Sequence, residues 1–328
     1  MVKTAPCIVG IDIGGQSSKI GIVEEGGRVI ARSVLAADGG ADPRPFVEGL
    51  AAAVRAAIAE SGRADDIAGV GVGAPNANYF TGCVAYAPNL PWAAHGSVPF
   101  ARMLSEALGG LDVTITNDAN AAAMGEMTFG VARGMKNFIL IAIGTGLGSG
   151  IVVDGSLLYG HDGFAGELGH TCAVPENGRL CGCGHHGCLE AYVSSRGVVR
   201  TATEWLEAGN EPSELRNLPK ISSKAVFEAA EHGDALARRV FAYTGEILGR
   251  KLADFVHFSA PEAIVLFGGL ARAGKYLYDP AWQAMNDHLL AIWKGKVKLL
   301  FSSLPESDAA ILGASALAWN KLEQTQKQ

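Results

Sequence analysis

The sequence contains no apolar run approaching the 18 or so residues needed to span a bilayer. Its first stretch, MVKTAPCIVGIDIGG, has a short apolar segment interrupted by Asp12 and no small-residue cleavage pattern, so a cytosolic chain without a secretory signal is expected. Basic charge is also in deficit: 27 Lys and Arg stand against 33 Asp and Glu, a formal net charge of −6. Because those bases are scattered, there is no positive field to hold nucleic acid. Cysteine is sparse, six in 328 residues, yet three of the six fall in LCGCGHHGC at 180–188. In a reducing cytosol such clustering fits metal ligands or a redox pair better than structural disulfides.

Glycine is the residue in excess, 43 against an average usage of about 7%. A chain of 328 residues exceeds the size at which one hydrophobic core usually stops growing, which predicts two domains. Residues 7–35 read as strand, glycine turn, strand, Gly26-Gly27 turn, strand, because β-branched runs alternate with turn signals at hairpin spacing. Residues 138–160 repeat that plan, with Gly144, Gly146 and Gly148 in the turn and Asp154-Gly155 after the run IVV. Glycine turns let backbone N–H groups approach phosphate oxygens with no Cβ in the way. Asp12 precedes the first turn and Thr145 lies inside the second, so two matched phosphate-binding hairpins are expected. Neither turn opens a helix, which argues against both the dinucleotide fingerprint and the P-loop.

Amphipathic spacing predicts helices over 45–60 and 97–109, and short apolar runs predict strands over 67–75 and 112–116, so the architecture is mixed α/β. At 263–270, AIVLFGGL reads as a buried strand ending in Gly268-Gly269 before a helix, where backbone could approach a flat ligand such as adenine. Cys181, Cys183 and Cys188 have C-x-C-x4-C spacing with glycines between them, enough to aim three thiolates at one ion. The fourth ligand of a closed tetrahedral zinc site is sought among His170, His185 and His186. A redox pair would use C-x-x-C at a helix start beside a thioredoxin-like pattern, which is absent.

Glu190 lies two residues past Cys188, and Glu167 three before His170. Singly, each reads as a helix-surface or capping acid. Together on a metal-stapled segment they suit a polyhydroxylated ligand, since carboxylates accept hydrogen bonds from several hydroxyls. After the strand DVTIT, Asn117 or Asp118 stands between a strand's carboxyl end and an alanine-rich helix. Capping explains that position, but the ends of strands in open α/β sheets are also where ligands bind.

In chain order these segments closely resemble the ROK family of bacterial sugar kinases and related repressors, its glucokinase members above all. The motifs are DIGG at 12–15, GAPN at 73–76, APNLPW at 87–92, NDANAA at 117–122 and IGTGLGSG at 143–150, followed by GELGH at 166–170, CGCGHHGCLE at 181–190 and FGGL at 267–270. The resemblance implies the actin-like, ribonuclease-H-like α/β ATPase fold, with two lobes around a central cleft. Residues 1–116 with 305–328 would form the N-terminal lobe and 117–304 the larger one. By the same resemblance Asp118 is the general base, and Asn89, Asn117, Glu167, His170 and Glu190 hold the sugar. His170 is implied as the fourth Zn²⁺ ligand with Cys181, Cys183 and Cys188, which leaves His185 and His186 as loop residues. Asp12, Gly14, Gly15, Gly144, Thr145 and Gly146 would face the phosphates of ATP and its Mg²⁺, and Gly268 and Gly269 the adenosine.

One departure stands out: where the family has Thr after DIGG, this chain has Gln16, then Ser17 and Ser18. The activity implied is ATP-dependent phosphorylation of glucose at its 6-hydroxyl, in a cytoplasmic homodimer or homotetramer. Another acceptor for this chain (fructose, allose, N-acetylglucosamine or N-acetylmannosamine), polyphosphate as donor, and a non-catalytic sugar sensor stay open as alternatives. Retention of Asp118 and of both phosphate turns favours a kinase over a sensor. The first strand, expected near Cys7, leaves no room before it for the DNA-binding module of the repressors.

Overall fold

The computed structural model describes residues 5–37, 39–305 and 308–326. They group into two compact units, one of Met1–Met135, Gly150–Ala165 and Ser303–Gln328, the other of Lys136–Ser149 and Gly166–Ser302. Among the described residues no helix is long and apolar enough to cross a membrane.

In the first unit the predicted meander is present as β1 (Cys7–Ile13), β2 (Ser17–Glu24) and β3 (Val29–Ala36), each antiparallel to the next. Helix α1 (Pro43–Ser61) starts where Asp42 accepts the Arg44 N–H at 3.0 Å, and stops at Gly62, whose φ of 67° an L side chain resists. Phe46, Leu50, Val54 and Ala57 recur at helical spacing on its buried face. Strand β4 (Ile67–Gly73) then runs parallel to β1, and β5 (Val84–Ala85) and β6 (Ser97–Val98) form a separate ribbon. Between the ribbon strands, Trp92 stacks on Phe46 at 5.1 Å and on Phe100 at 5.2 Å, anchoring the segment that carries Asn89. After α2 (Phe100–Ala107), β7 (Val113–Thr116) adds parallel to β4 and leads into α3 (Asp118–Thr128). The sheet order is β3-β2-β1-β4-β7.

The second meander is β8 (Phe138–Ile143), β9 (Leu147–Val153) and β10 (Ser156–Leu157). Helices α4 (Ser195–Ala208), α5 (Ser223–His232) and α6 (Ala235–Ser259) follow, then β11 (Ala263–Phe267), α7 (Lys275–His288) and β12 (Lys298–Phe301). Strands β8, β11 and β12 are parallel, and the sheet order β10-β9-β8-β11-β12 reproduces that of the first sheet position by position. The duplication visible in the two glycine hairpins therefore extends to whole five-stranded sheets.

Helix α8 (Ala309–Gln326) packs across β1 and β4 and against α3. The approach is so close that a Cβ on Gly10 would overlap the Ile311 carbonyl and one on Gly71 the Ala314 carbonyl. Helix α3, drawn with the larger lobe on sequence, lies in the first unit for the same reason: a Cβ on Gly125 would come within 2.8 Å of the Gly313 Cα, so α3 and α8 touch backbone to backbone. Gly71→Ala is expected to destabilise the protein by about 1–3 kcal/mol through overpacking. Gly26→Ala, with nothing within 4 Å of the added methyl, serves as the control in thermal melts.

Candidate functional site

Three parallel strands of the first unit end in one row. The pairing sets Asp12 beside Gly73 and Gly73 beside Thr116, so the Gly14-Gly15 turn, the Ala74–Asn76 segment and Asn117-Asp118 all lie just past the carboxyl edge of β1, β4 and β7. The absent side chain of Gly73 lets α3 begin close by, with the Asp118 Cα 3.7 Å from where a Cβ would stand. Asn117 is the helix cap, its Oδ1 accepting the Ala119 N–H at 2.9 Å. Asp118 is the first helical residue, and its Oδ1 accepts the same N–H at 2.8 Å. Asp118 remains solvent-accessible, yet the density of protein around it pushes its carboxyl above the ordinary range, against the pull of the Ala119 N–H.

Burial, and then the neighbouring Asp118 carboxylate, push Asp12 from the ordinary 3.8 up to about 6, while Lys19 opposes the shift. Lys19 pairs with Asp12 across the β1–β2 register and was not singled out from sequence. A carboxylate raised by a second one nearby gains from a cation placed between them. A carboxylate whose folded pKa is raised destabilises the folded state as pH climbs from its unfolded value, here between about 4 and 6, and does so fully above 6. Asp12→Asn should therefore raise the melting temperature of unliganded protein at pH 7 and leave it unchanged below about pH 3, where the carboxyl is protonated in folded and unfolded chains alike. A melting curve with the opposite pH trend would contradict the assignment.

Gly15 and Asn89 are neighbours, since a Cβ on Gly15 would come within 3.0 Å of the Asn89 carbonyl oxygen. Asn89 itself is exposed. Gln16 occupies the exposed tip of the first turn, and Ser17 and Ser18 already belong to β2, with Ser18 buried. No hydroxyl therefore stands at the tip, and the turn is closed by its own backbone, the Gly14 N–H donating to Ser17 O at 3.0 Å.

In the second unit the other two glycine segments sit side by side. Phe267 pairs with Ala142, so Gly144–Gly146 after β8 and Gly268-Gly269 after β11 leave the sheet at the same edge. Gly268 has φ 94° and would bring a Cβ within 2.7 Å of Ile143 O, so only glycine fits there. Thr145 is exposed at the tip of its turn. Gly269 opens a short 3₁₀ turn, Gly269–Ala273, and the helix expected from sequence begins only at Lys275.

His170, Cys181, Cys183 and Cys188 converge, with one ligand atom from each lying within 4.8 Å of all the others. Cys183 and Cys188 Sγ are 3.6 Å apart, and the His170 Nδ1 is 3.8 Å from the Cys181 Sγ. The ring's other nitrogen, Nε2, is 3.9 Å from Glu167 Oε2, so His170 can face a metal on one side and a ligand on the other. His186 bonds Gly178 O at 2.9 Å and His185 is exposed, and neither joins the cluster. Glu167 makes no side-chain cap to the turn that follows it. Glu190 is not a surface acid: half-buried, it accepts the Leu147 N–H through Oε2 at 2.9 Å.

Arg179 anchors the same loop. It is buried at the base of the cysteine loop, donates to Thr201 Oγ1 at 2.9 Å and Glu204 Oε2 at 2.6 Å, and lies 4.6 Å from the centre of the Tyr192 ring. These contacts fasten the loop to α4. A single arginine beside a glycine-rich loop carries no periodic or spacing signal that would mark it beforehand.

The family model described as "ROK family" matches residues 8–321. A glucokinase of Thermotoga maritima is 33% identical, over 94% of this chain and 96% of the relative. A ROK hexokinase from Thermus thermophilus, known by its crystal structure, matches with a TM-score of 0.82 at 30% identity, covering 97% of this chain and 99% of the other. A ROK family glucokinase from Streptomyces griseus, solved in complex with glucose and AMPPNP, matches with a TM-score of 0.77 at 33% identity, covering 96% and 99%.

Proposed function

The chain belongs to the ROK family, and on that premise we propose that it is an ATP-dependent glucokinase that transfers the γ-phosphoryl group to the 6-hydroxyl of glucose. Its paired five-stranded sheets of matching order are those of the actin-like ATPase fold. The observation that carries the reading is Asp118: a carboxylate raised above its ordinary range, held by the Ala119 N–H at the carboxyl end of β7 and followed at once by a capped helix. A raised pKa makes it a better proton acceptor while a hydrogen bond to Oδ1 fixes its direction, so it accepts the 6-hydroxyl proton as the oxygen attacks phosphorus.

Phosphoryl transfer needs positioning and neutralisation of charge more than covalent help. The Gly14-Gly15 and Gly144–Gly146 turns are assigned to the phosphates, and the Gly268-Gly269 segment to the adenosine. Asp12 is assigned to Mg²⁺, which supplies charge neutralisation when bound; its pairing with Asp118 supports that role. Asn89, Asn117, Glu167, His170 Nε2 and Glu190 are assigned to the sugar hydroxyls.

The ion assigned to the Cys₃His cluster is Zn²⁺. Tetrahedral Zn–S bonds of about 2.3 Å put sulfurs roughly 3.7 Å apart, and the 3.6 Å between Cys183 and Cys188 supports the fit. Bound there, the ion closes the loop and sets Glu167, His170 and Glu190 in place, and it has no open position for chemistry. A cytoplasmic homodimer or homotetramer is the expected setting, and light scattering of purified protein measures the assembly. The decisive assay is coupled ADP release across a panel of hexoses and N-acetylated amino sugars with ATP and with polyphosphate. The highest kcat/KM is expected for glucose with ATP, and absence of sugar-dependent ADP release would overturn the kinase reading.

A further inference from the structure

We propose that Glu190 is, besides a sugar ligand, a positioning residue for the nucleotide turn, and so makes sugar and nucleotide binding depend on each other. The inference rests on the kinase reading above. Glu190 lies in the 3₁₀ turn Leu189–Ala191, which begins at the candidate metal ligand Cys188. That turn is held rigidly: the buried Leu189 donates its N–H to Thr171 O at 3.0 Å, directly after His170, and Ser194 Oγ donates to Glu190 O at 2.8 Å while capping α4 through the Gly197 N–H at 3.0 Å.

The two oxygens of this carboxylate face different ways. Oε2 accepts the Leu147 N–H at 2.9 Å and packs so tightly over Gly146 that a Cβ there would overlap it. Oε1 is 3.7 Å from Cys181 Sγ, a weak contact that a metal-bound thiolate could not donate to, which leaves Oε1 for a sugar hydroxyl. On its other side the nucleotide turn is tied by Ser195 N–H to Gly144 O at 2.8 Å and closed by Gly144 N–H to Gly146 O at 2.9 Å. The segment from Cys188 to Ser195 thus clamps Gly144–Leu147 from both ends. Gly146 is glycine for a reason beyond phosphate access, since the carboxylate occupies the space of its side chain.

A group shared by two ligands couples them, and the coupling is reciprocal. Loss of a hydrogen bond to a charged acceptor corresponds to about tenfold in affinity. Calorimetry without sugar should find Glu190→Ala binding AMPPNP with Mg²⁺ about tenfold more weakly than the unmodified protein. Glu190→Gln, which retains an oxygen for the Leu147 N–H, should stay within about twofold, while both variants lose glucose affinity. Metal content is measured alongside, so that a collapsed loop is recognised. Nucleotide affinity unchanged in Glu190→Ala, or lost equally in Glu190→Gln, overturns the positioning role. Should Glu190→Ala fail to fold, Gly146→Ala reports from the other side: its methyl displaces Oε2, and weakened glucose binding is expected, with unchanged glucose binding overturning the inference. An unmodified chain that binds neither nucleotide nor glucose would overturn the kinase reading itself, which these variants alone cannot mimic.

Discussion

Asp118→Asn is expected to lower kcat by about 10²- to 10⁴-fold, the usual loss when a general base is removed, with glucose affinity and metal content close to those of the unmodified enzyme. The substitution is nearly isosteric. Because Asn117, not Asp118, caps α3, the helix start does not depend on the carboxylate, and the amide oxygen of Asn can still accept the Ala119 N–H. It cannot accept a proton at neutral pH. Loss of a cap alone would cost about 1 kcal/mol of stability and leave turnover intact. Measuring kcat, calorimetric glucose affinity and melting temperature together separates the two: near-normal kcat with a lowered melting temperature would reduce Asp118 to a structural residue. Asn117→Ala removes both the cap and an assigned sugar contact, so it should lower the melting temperature and weaken glucose binding together.

The second large effect is expected on removing the metal. Purified protein should hold one zinc per chain, and chelation or Cys183→Ser should abolish measurable glucose binding and lower the melting temperature, because Glu167, His170 and Glu190 all lie within the segment that the cluster ties together. Burial, with Cys183 and Cys181 nearby, pushes the Cys188 thiol up to about 12, so at neutral pH the metal-free loop carries a protonated thiol there whose proton the ion must displace. Metal affinity should accordingly fall on acidification, which competition with a chromophoric chelator at several pH values measures. A metal-free preparation with full activity and full glucose affinity would sink this role.

What could be read in the amino-acid order follows the range of the interactions involved. The glycine hairpins, the β-branched runs and the C-x-C-x4-C spacing are local patterns, and β1–β3, β8–β10 and the cysteine loop stand where those patterns place them. Contacts decided by pairing register were not legible: Lys19 meets Asp12 only because β1 and β2 pair one particular way, and Glu190 reaches Leu147 across 43 positions of chain. Asn117 and Asp118 are both good cap formers, so which of them caps depends on where α3 starts to the residue. The placement of α3 in the first unit depends on Gly313 meeting Gly125, a contact that no local pattern announces.

The return of α8 to the first unit orders events during synthesis. Gly10 and Gly71 hold open the groove that α8 fills, yet everything from Lys136 to Ser302 leaves the ribosome before Ala309 does. One face of the first sheet therefore waits uncovered while the other unit has all the residues it needs to fold, since that unit is complete at Ser302. Between the emergence of Ser302 and that of α8, the second unit has its whole sequence outside the ribosome while the first still lacks the helix that covers its sheet.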